Sequence, residues 1–539
     1  MGLLLAAFFV AGATAMCFAQ CSFPTALNGR LLLYSFEPSV SKEATVLHIT
    51  LTFQGGLEGI ATLELPSTWA GEIHLYNAVT HLHAVSADTI IDDTAEPQTK
   101  IVRFQPGKTV TFAYDLVKDW HGALRHPMEF RAVLEPGYFE FRAGNGLVHP
   151  KLDDPAAVTV NLEWKLPESW ALATSFGANQ RCQSFSGTWK PVEDALFTAG
   201  DFRIHHFEIE GQPAVLAVRG QWRFTDDEAI LDLQKVIAMV RDFWHDNNFP
   251  YYLITLKPFD TERDNSDGTA LTNAFWLYLS RQDNFSDQLV TLAHETFHAW
   301  NPGLMGDLLR PIPWFTEGFT RYYGNLLVYR AGLSTLPAYL DGTNRSLRQY
   351  PQSSDPDARG RILAQWLDGR IRQASNNKRS LDNLMFDLLK RRNRPLTQAR
   401  ILKTAGRFLP PTARLQLRQA VDKNADLSAF NALALGPCVR VAIDEVRPFD
   451  LGFDFAASQA AHRVIGVKLG GEAHNAGLED GQRLSGWSVH NDQPDKPARF
   501  SVETQGGVKK IEYLPRGKPI KVPQYHLEQN CRVTGRAGE

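Results

Sequence analysis

Charge of one sign is what this 539-residue chain most plainly lacks: 56 Lys and Arg stand against 59 Asp and Glu, a formal net of -3, with the two signs interspersed. That balance excludes the basic face a nucleic-acid partner demands, and with no Lys/Arg-rich run there is nothing to grip an anionic membrane surface. A peptide or small molecule is the expected partner. Cysteine is scarce at five residues, and Cys21, Cys182, Cys438 and Cys531 stand too far apart in sequence for a thiolate zinc site. Long apolar runs are missing too. The best, Leu3 to Ala19, is short and alanine-rich for a membrane span, and the small residues near its end suit a signal peptidase.

Residues 1–19 therefore read as an export signal cleaved after Ala15 or Ala19, and the mature chain as secreted or periplasmic. Neither Cys17 nor Cys21 follows a good lipoprotein box, so a soluble form without a stable membrane anchor is expected. The four cysteines left after cleavage at Ala19 permit two disulfides in three pairings in an oxidising compartment.

A chain this long implies about three domains, and the pattern reads as a multidomain α+β protein. Residues 20–222 form a β-rich, sandwich-like domain of short alternating strands; Ala44–Phe53, Gly59–Leu65, Lys100–Phe104, Thr109–Tyr114, Ala156–Trp164 and Ala214–Val218 are the clearest. His81, His83, His205 and His206 in it read as surface or strand histidines. Residues 223–435 change character at Thr225-Asp-Asp-Glu228, a capping box that opens a helix to about His245. Tyr251–Leu256 and Gly268–Phe275 then read as strands, and helices follow over Arg361–Arg372, Leu381–Arg391, Gln398–Arg407 and Pro411–Asp422. Residues 440–525 return to strand, short helix and turn in the manner of a PDZ module. There the amides of Leu451-Gly452-Phe453 would hold a peptide C-terminus and the adjacent strand edge would pair with it.

The chemistry concentrates in Leu289-Val-Thr-Leu-Ala-His-Glu-Thr-Phe-His-Ala-Trp300. His294 and His298, four apart, share a helix face and can point at one metal, while Glu295, one step round, faces the water on it. Asn301-Pro302-Gly303 stops this helix and Pro313 opens the next. Glu317, with eighteen residues between it and His298, is the third candidate ligand. Such a set leaves a fourth position open, where Zn²⁺ would bring a bound water to a pKa of about 7 and Glu295 would take its proton.

His294-Glu-Thr-Phe-His-Ala-Trp-Asn301, Arg310-Pro311, Trp314-Phe-Thr-Glu-Gly-Phe-Thr-Arg-Tyr-Tyr323, Leu381-Asp-Asn-Leu-Met385 and the PDZ-like tail resemble the glycyl aminopeptidase family of gluzincin metallopeptidases, from about Thr225 onward. The resemblance implies a thermolysin-like catalytic domain, zinc held by His294, His298 and Glu317, Glu295 as general base, and a preference for Gly or Ala at a peptide N-terminus. Two departures stand out. Where relatives carry a glutamate for the substrate α-amine in a Gly-Gly-Leu-Glu-His-like strand, this chain has Gly268-Thr-Ala-Leu-Thr-Asn273; backbone pairing along Gly268, Thr269, Ala270 and Asn273 survives. Where relatives supply an oxyanion phenol from Tyr-x-Lys-Gly, it has Asp357-Ala-Arg-Gly360, leaving Tyr350, Tyr323 and Arg359 as candidate donors. Aminopeptidase action thus stands beside endopeptidase action, or a zinc-bearing scaffold that holds peptides on its PDZ-like module.

Overall fold

Alternation builds the front of the molecule: Thr45–Gln54 turns Leu47, Ile49, Leu51 and Phe53 inward and leaves His48 and Gln54 in solvent. In the computed structural model, which describes residues 21–23, 30–152, 157–249, 251–260, 266–350, 355–427, 429–490, 493–504 and 506–528, that strand lies in a six-stranded sheet. Its order is Cys182–Thr188, Ala157–Trp164, Arg30–Val40, Thr45–Gln54, Thr109–Leu116, Val79–Ala84. A four-stranded and a five-stranded sheet join it around one core that includes Phe36, Ile49, Leu63, Phe112, Phe139, Trp164 and Phe197, a sandwich-like arrangement. Cys21 is disulfide-bonded to Cys182, and Cys438 is disulfide-bonded as well. The expected signal, residues 1–19, and Cys531 lie outside the described residues.

A second sheet backs the helical region. It comprises β1 (Arg203–Ile209), β2 (Gln212–Val218), β3 (Tyr252–Pro258), β4 (Asp267–Leu271) and β5 (Ala274–Leu279), in the order β1, β2, β3, β5, β4, so β4 is an edge. Residues 203–218, grouped by sequence with the β-rich front, thus belong to this sheet, β2 pairing in register with β3: Ala214 faces Tyr252 and Val218 faces Leu256. The single strand expected over Gly268–Phe275 is a hairpin. Leu271 pairs with Ala274, and Asn273 takes φ 48° in the two-residue turn between them, a left-handed conformation asparagine tolerates.

Helix α1 (Asp226–Trp244) opens on the capping box, Thr225 accepting from the Glu228 amide, and ends at His245 in the left-handed region. Leu233, Val236, Ile237 and Val240 pack it onto Leu216, Ile254 and Leu277 of the sheet. After it come α2 (Leu289–Phe297), α3 (Pro313–Arg330), α4 (Leu336–Gln349), α5 (Pro356–Ala374) and three further helices over Leu381–Leu389, Gln398–Ala405 and Pro411–Lys423. Among the described residues no helix is long and apolar enough to cross a membrane. The other face of the sheet joins the β-rich domain through a continuous core in which Trp120, Val133, Tyr138 and Leu196 meet Leu253, Trp276 and Tyr278.

After the helices, β6 (Val439–Val446) pairs antiparallel with β7 (Ile520–Leu527). This ribbon docks on α4, where Asn344 donates to the Tyr525 carbonyl at 2.9 Å and accepts from its amide at 2.8 Å. Between the two strands sits a small module with strands Arg483–Ser488, Ala498–Thr504 and Gly507–Tyr513 around Leu451, Phe453, Phe500, Val502 and Ile511. Here the peptide-pairing part of the PDZ-like expectation needs correcting. No strand directly follows Leu451-Gly452-Phe453: Asp454 caps a helix, Phe455–Ala461, and the Gly452 amide donates to Asp450 Oδ1 at 2.8 Å. The peptide-pairing edge expected there is not formed.

Candidate active site

Two helices and one strand make the site. His294 and His298 stand one turn apart at the C-terminal end of α2, and Glu317 lies in the second turn of α3, whose first residue is Pro313. Their donor atoms converge: His294 Nε2 is 3.1 Å from His298 Nε2 and 3.5 Å from Glu317 Oε2, and the latter is 3.3 Å from His298 Nε2. A tetrahedral ion with ligands near 2.1 Å sets its donors about 3.4 Å apart, so these residues fit a zinc ion. Asn301, missed in the sequence beyond its part in a helix stop, holds the arrangement. Its carbonyl accepts the His298 Nδ1–H at 2.9 Å, which leaves the Nε2 lone pair free for a metal. Its buried side-chain amide donates to the Phe315 carbonyl at 3.2 Å and to Thr320 Oγ1 at 3.1 Å on α3.

Electrostatics agree with that donor set. Burial pushes His294 down to about 4. Burial also opposes charge on His298, but its hydrogen bond to Glu317 prevails and lifts it to about 9. Against the effect of burial, the two histidines hold the Glu317 carboxyl well below the usual range. The three groups together thus accommodate a positive charge, which is what a divalent cation requires. Glu295 is buried beside them, and desolvation raises it to about 7 despite the pull of His298, a value suited to taking and returning a proton near neutrality.

The edge strand β4 passes over Glu295 so closely that a methyl on Gly268 would lie 3.1 Å from Glu295 Cγ. Gly268, Thr269, Ala270 and Asn273 all line a cleft of about 890 Å³ together with His294, Glu295, His298 and Glu317. Trp69, Phe130 and Asp194 of the β-rich domain form part of its wall. Where β4 starts, His126 Nδ1 donates to Glu129 Oε1 at 2.6 Å and lies 3.6 Å from Asp267 Oδ2, so the strand's first residue is tied to that domain.

The three expected oxyanion donors lie elsewhere. Tyr323 is buried and donates to Asp382 Oδ1 at 2.9 Å. Tyr350 points to the Ala425 carbonyl, and Arg359 packs on Tyr350 and donates to the Asn424 carbonyl. None lines the cleft; Arg321, which sequence reading passed over, does.

This donor set, with a buried carboxylate beside it and an edge strand across it, is that of a zinc-dependent metallopeptidase. More particularly, residues 287–381, which carry both metal-facing helices, match the family model described as M61 glycyl aminopeptidase. No protein of curated function matches the chain in sequence. In fold it is similar to an aminopeptidase N family protein from Idiomarina loihiensis, with a TM-score of 0.69 and 17% identity over 92% of this chain and 98% of that one. An M1 zinc metallopeptidase from Deinococcus radiodurans aligns with a TM-score of 0.46 and 14% identity over 74% and 95% of the two chains. A mutant of the Deinococcus M1 enzyme bound to a Tyr-Ser-Ala substrate aligns with a TM-score of 0.46 and 15% identity over 75% and 95%.

Proposed function

We propose that the chain is an exported zinc aminopeptidase that removes small residues, Gly or Ala, from peptide N-termini, with zinc on His294, His298 and Glu317. The observation that carries this reading is the approach of two imidazole nitrogens and one carboxylate oxygen to within 3.1–3.5 Å of one another, with Glu295 alongside. When bound, zinc supplies an acidified water and polarises the scissile carbonyl. Glu295 accepts the proton of the attacking water and passes it to the leaving amine. The outer edge of β4, which pairs with no further strand among the described residues, aligns an extended substrate by backbone pairing, and Gly268 keeps that approach close to Glu295. In place of the glutamate that relatives offer the α-amine stands Thr272, and of the aspartates that line the same cleft Asp194 is paired with Arg142 and Lys190 and Asp267 with His126. The preference for small residues rests on the family likeness of residues 287–381. Disulfide bonding at Cys21, Cys182 and Cys438 supports an oxidising compartment, secreted or periplasmic.

Thr272 favours one second reading, endopeptidase action, because no carboxylate stands at that position to demand a free amine. Alanyl or glycyl arylamides compared with N-blocked peptides separate the two; turnover of the blocked peptide alone would overturn the aminopeptidase reading. Under either reading, Glu295→Gln is expected to lower turnover by about 100- to 10,000-fold with zinc content unchanged. Parent-like turnover in that variant would remove Glu295 from the chemistry.

A further inference from the structure

Hydrolysis of a peptide bond places negative charge on the scissile carbonyl oxygen, and the three donors expected from sequence are turned to other tasks. We propose that Arg321 supplies this donor, with Asp357 as the residue that positions it; the assignment rests on the peptidase reading above. Arg321 follows Glu317 by four residues on α3 and so shares its face. It is the only Lys or Arg lining the cleft among the described residues, and its charge is felt by both His294 and Glu317. The side chain is 49% exposed, open to whatever occupies the cleft.

Its orientation is fixed from behind. Asp357, in the first turn of α5 and 18% exposed, takes Arg321 Nε at 2.9 Å and Nη2 at 2.7 Å, both on Oδ2. Nη1 is left without a protein partner among the described residues. A guanidinium held along one edge and free on another is a pre-aimed donor, and a fixed charge in a partly desolvated cleft stabilises a developing oxyanion without reorganising at the moment of reaction. The position explains the departure at Asp357-Ala-Arg-Gly360. The carboxylate that stands where relatives carry a phenol does not face the substrate; it holds the arginine that does.

The zinc-loaded parent, Arg321→Met, Arg321→Lys and Asp357→Asn decide the matter, assayed for kcat, KM, zinc content and calorimetric affinity for a phosphinic dipeptide analogue that mimics the tetrahedral oxyanion. Arg321→Met is expected to lose about 100- to 1,000-fold in kcat and a similar factor in analogue affinity, with KM and zinc content near parental. Lysine should restore part of both losses, and Asp357→Asn should give intermediate ones. A helix tie alone would cost stability and leave the kcat and analogue ratios at parental values, which overturns the proposal; so does a loss confined to KM. If the methionine variant fails to fold, parental kcat and analogue affinity in the lysine and asparagine variants overturn it equally. A parent that binds the analogue but cleaves no peptide refutes the peptidase reading, and the analogue ratio alone then judges Arg321.

Discussion

Two glycines set how near α3 comes to α5. A methyl on Gly318 would lie 2.5 Å from Gly360 Cα, and one on Gly360 2.0 Å from the Trp314 carbonyl oxygen. On the opposite side, a methyl on Gly324 would meet the His294 amide nitrogen at 3.3 Å. Glu317, next to Gly318, reaches the histidines only because the helices close on bare backbone. Gly360→Ala is therefore expected to cost about 1–3 kcal/mol and to weaken zinc binding. Urea unfolding joined to chelator competition checks this, and a variant equal to the parent in both would mean that α5 slides without moving Glu317. The metal residues were legible in sequence because the four-residue spacing of His294 and His298 is a local property of any helix. Tyr323 failed as a donor for the same geometric reason: six residues past Glu317, it faces away, stacked on Phe297 at 5.0 Å. Asn301 and Arg321 were hidden because their roles depend on which distant segments abut them, Thr320 for one and Asp357 for the other.

At the scale of elements, α1 is tied to the sheet at its first residue. Asp226 accepts from Arg203 Nε and Nη2, each at 2.8 Å, and from His205 Nε2 at 2.7 Å, both residues on β1. Arg203 above all holds the Asp226 carboxyl below its ordinary 3.8. A carboxyl depressed in the folded state adds stability that is full above its unfolded pKa and disappears as pH falls through the folded one. Asp226→Asn is accordingly expected to cost about 1 kcal/mol at pH 7, allowing for the solvent around Arg203. The deficit should close as pH drops below 3.8, as denaturant melts at several pH values would show; a pH-independent deficit would point to lost capping instead. Elements of this kind were readable where the signal is local. Thr225 and Glu228 announced α1, and alternation located Thr109–Leu116 and Ala157–Trp164 to within a residue or two. Helix α4 went unread, with Gly342 and Thr343 at its centre diluting the apolar face of Leu336, Tyr339, Leu340 and Leu347. The Gly268–Phe275 strand was read as one because apolar residues flank Thr272-Asn273 on both sides, and only the positive φ of Asn273 reveals the turn.

Across the whole molecule, the β-rich domain and the catalytic sheet share a core with an ion pair in it. Lys257 on β3 donates to Glu140 on strand Tyr138–Arg142 and to Thr255 Oγ1 at 2.7 Å, while Tyr278 donates to the same Glu140 oxygen at 3.1 Å. Both charges are buried. Removing one partner of such a pair costs far more than removing both, because the survivor stays desolvated and alone. Lys257→Met should destabilise the protein by about 3–5 kcal/mol, and adding Glu140→Gln should recover most of it. Calorimetric melting of the single and double variants tests this, and equal losses in the two would assign the effect to shape rather than charge. No sequence pattern announces a pair 117 residues apart.

The ribbon of β6 and β7 carries a topological consequence. Val446 and Ile520 face each other as its last paired residues, so everything from 447 to 519 leaves and re-enters at a single point, as a cassette spliced into a hairpin. A two-residue turn such as Asn-Gly could bridge that gap, so the module can be excised or exchanged while Tyr525 keeps its seat on α4. A stop codon placed ahead of Ile520 is a different operation, since it also strips the ribbon from the catalytic helices.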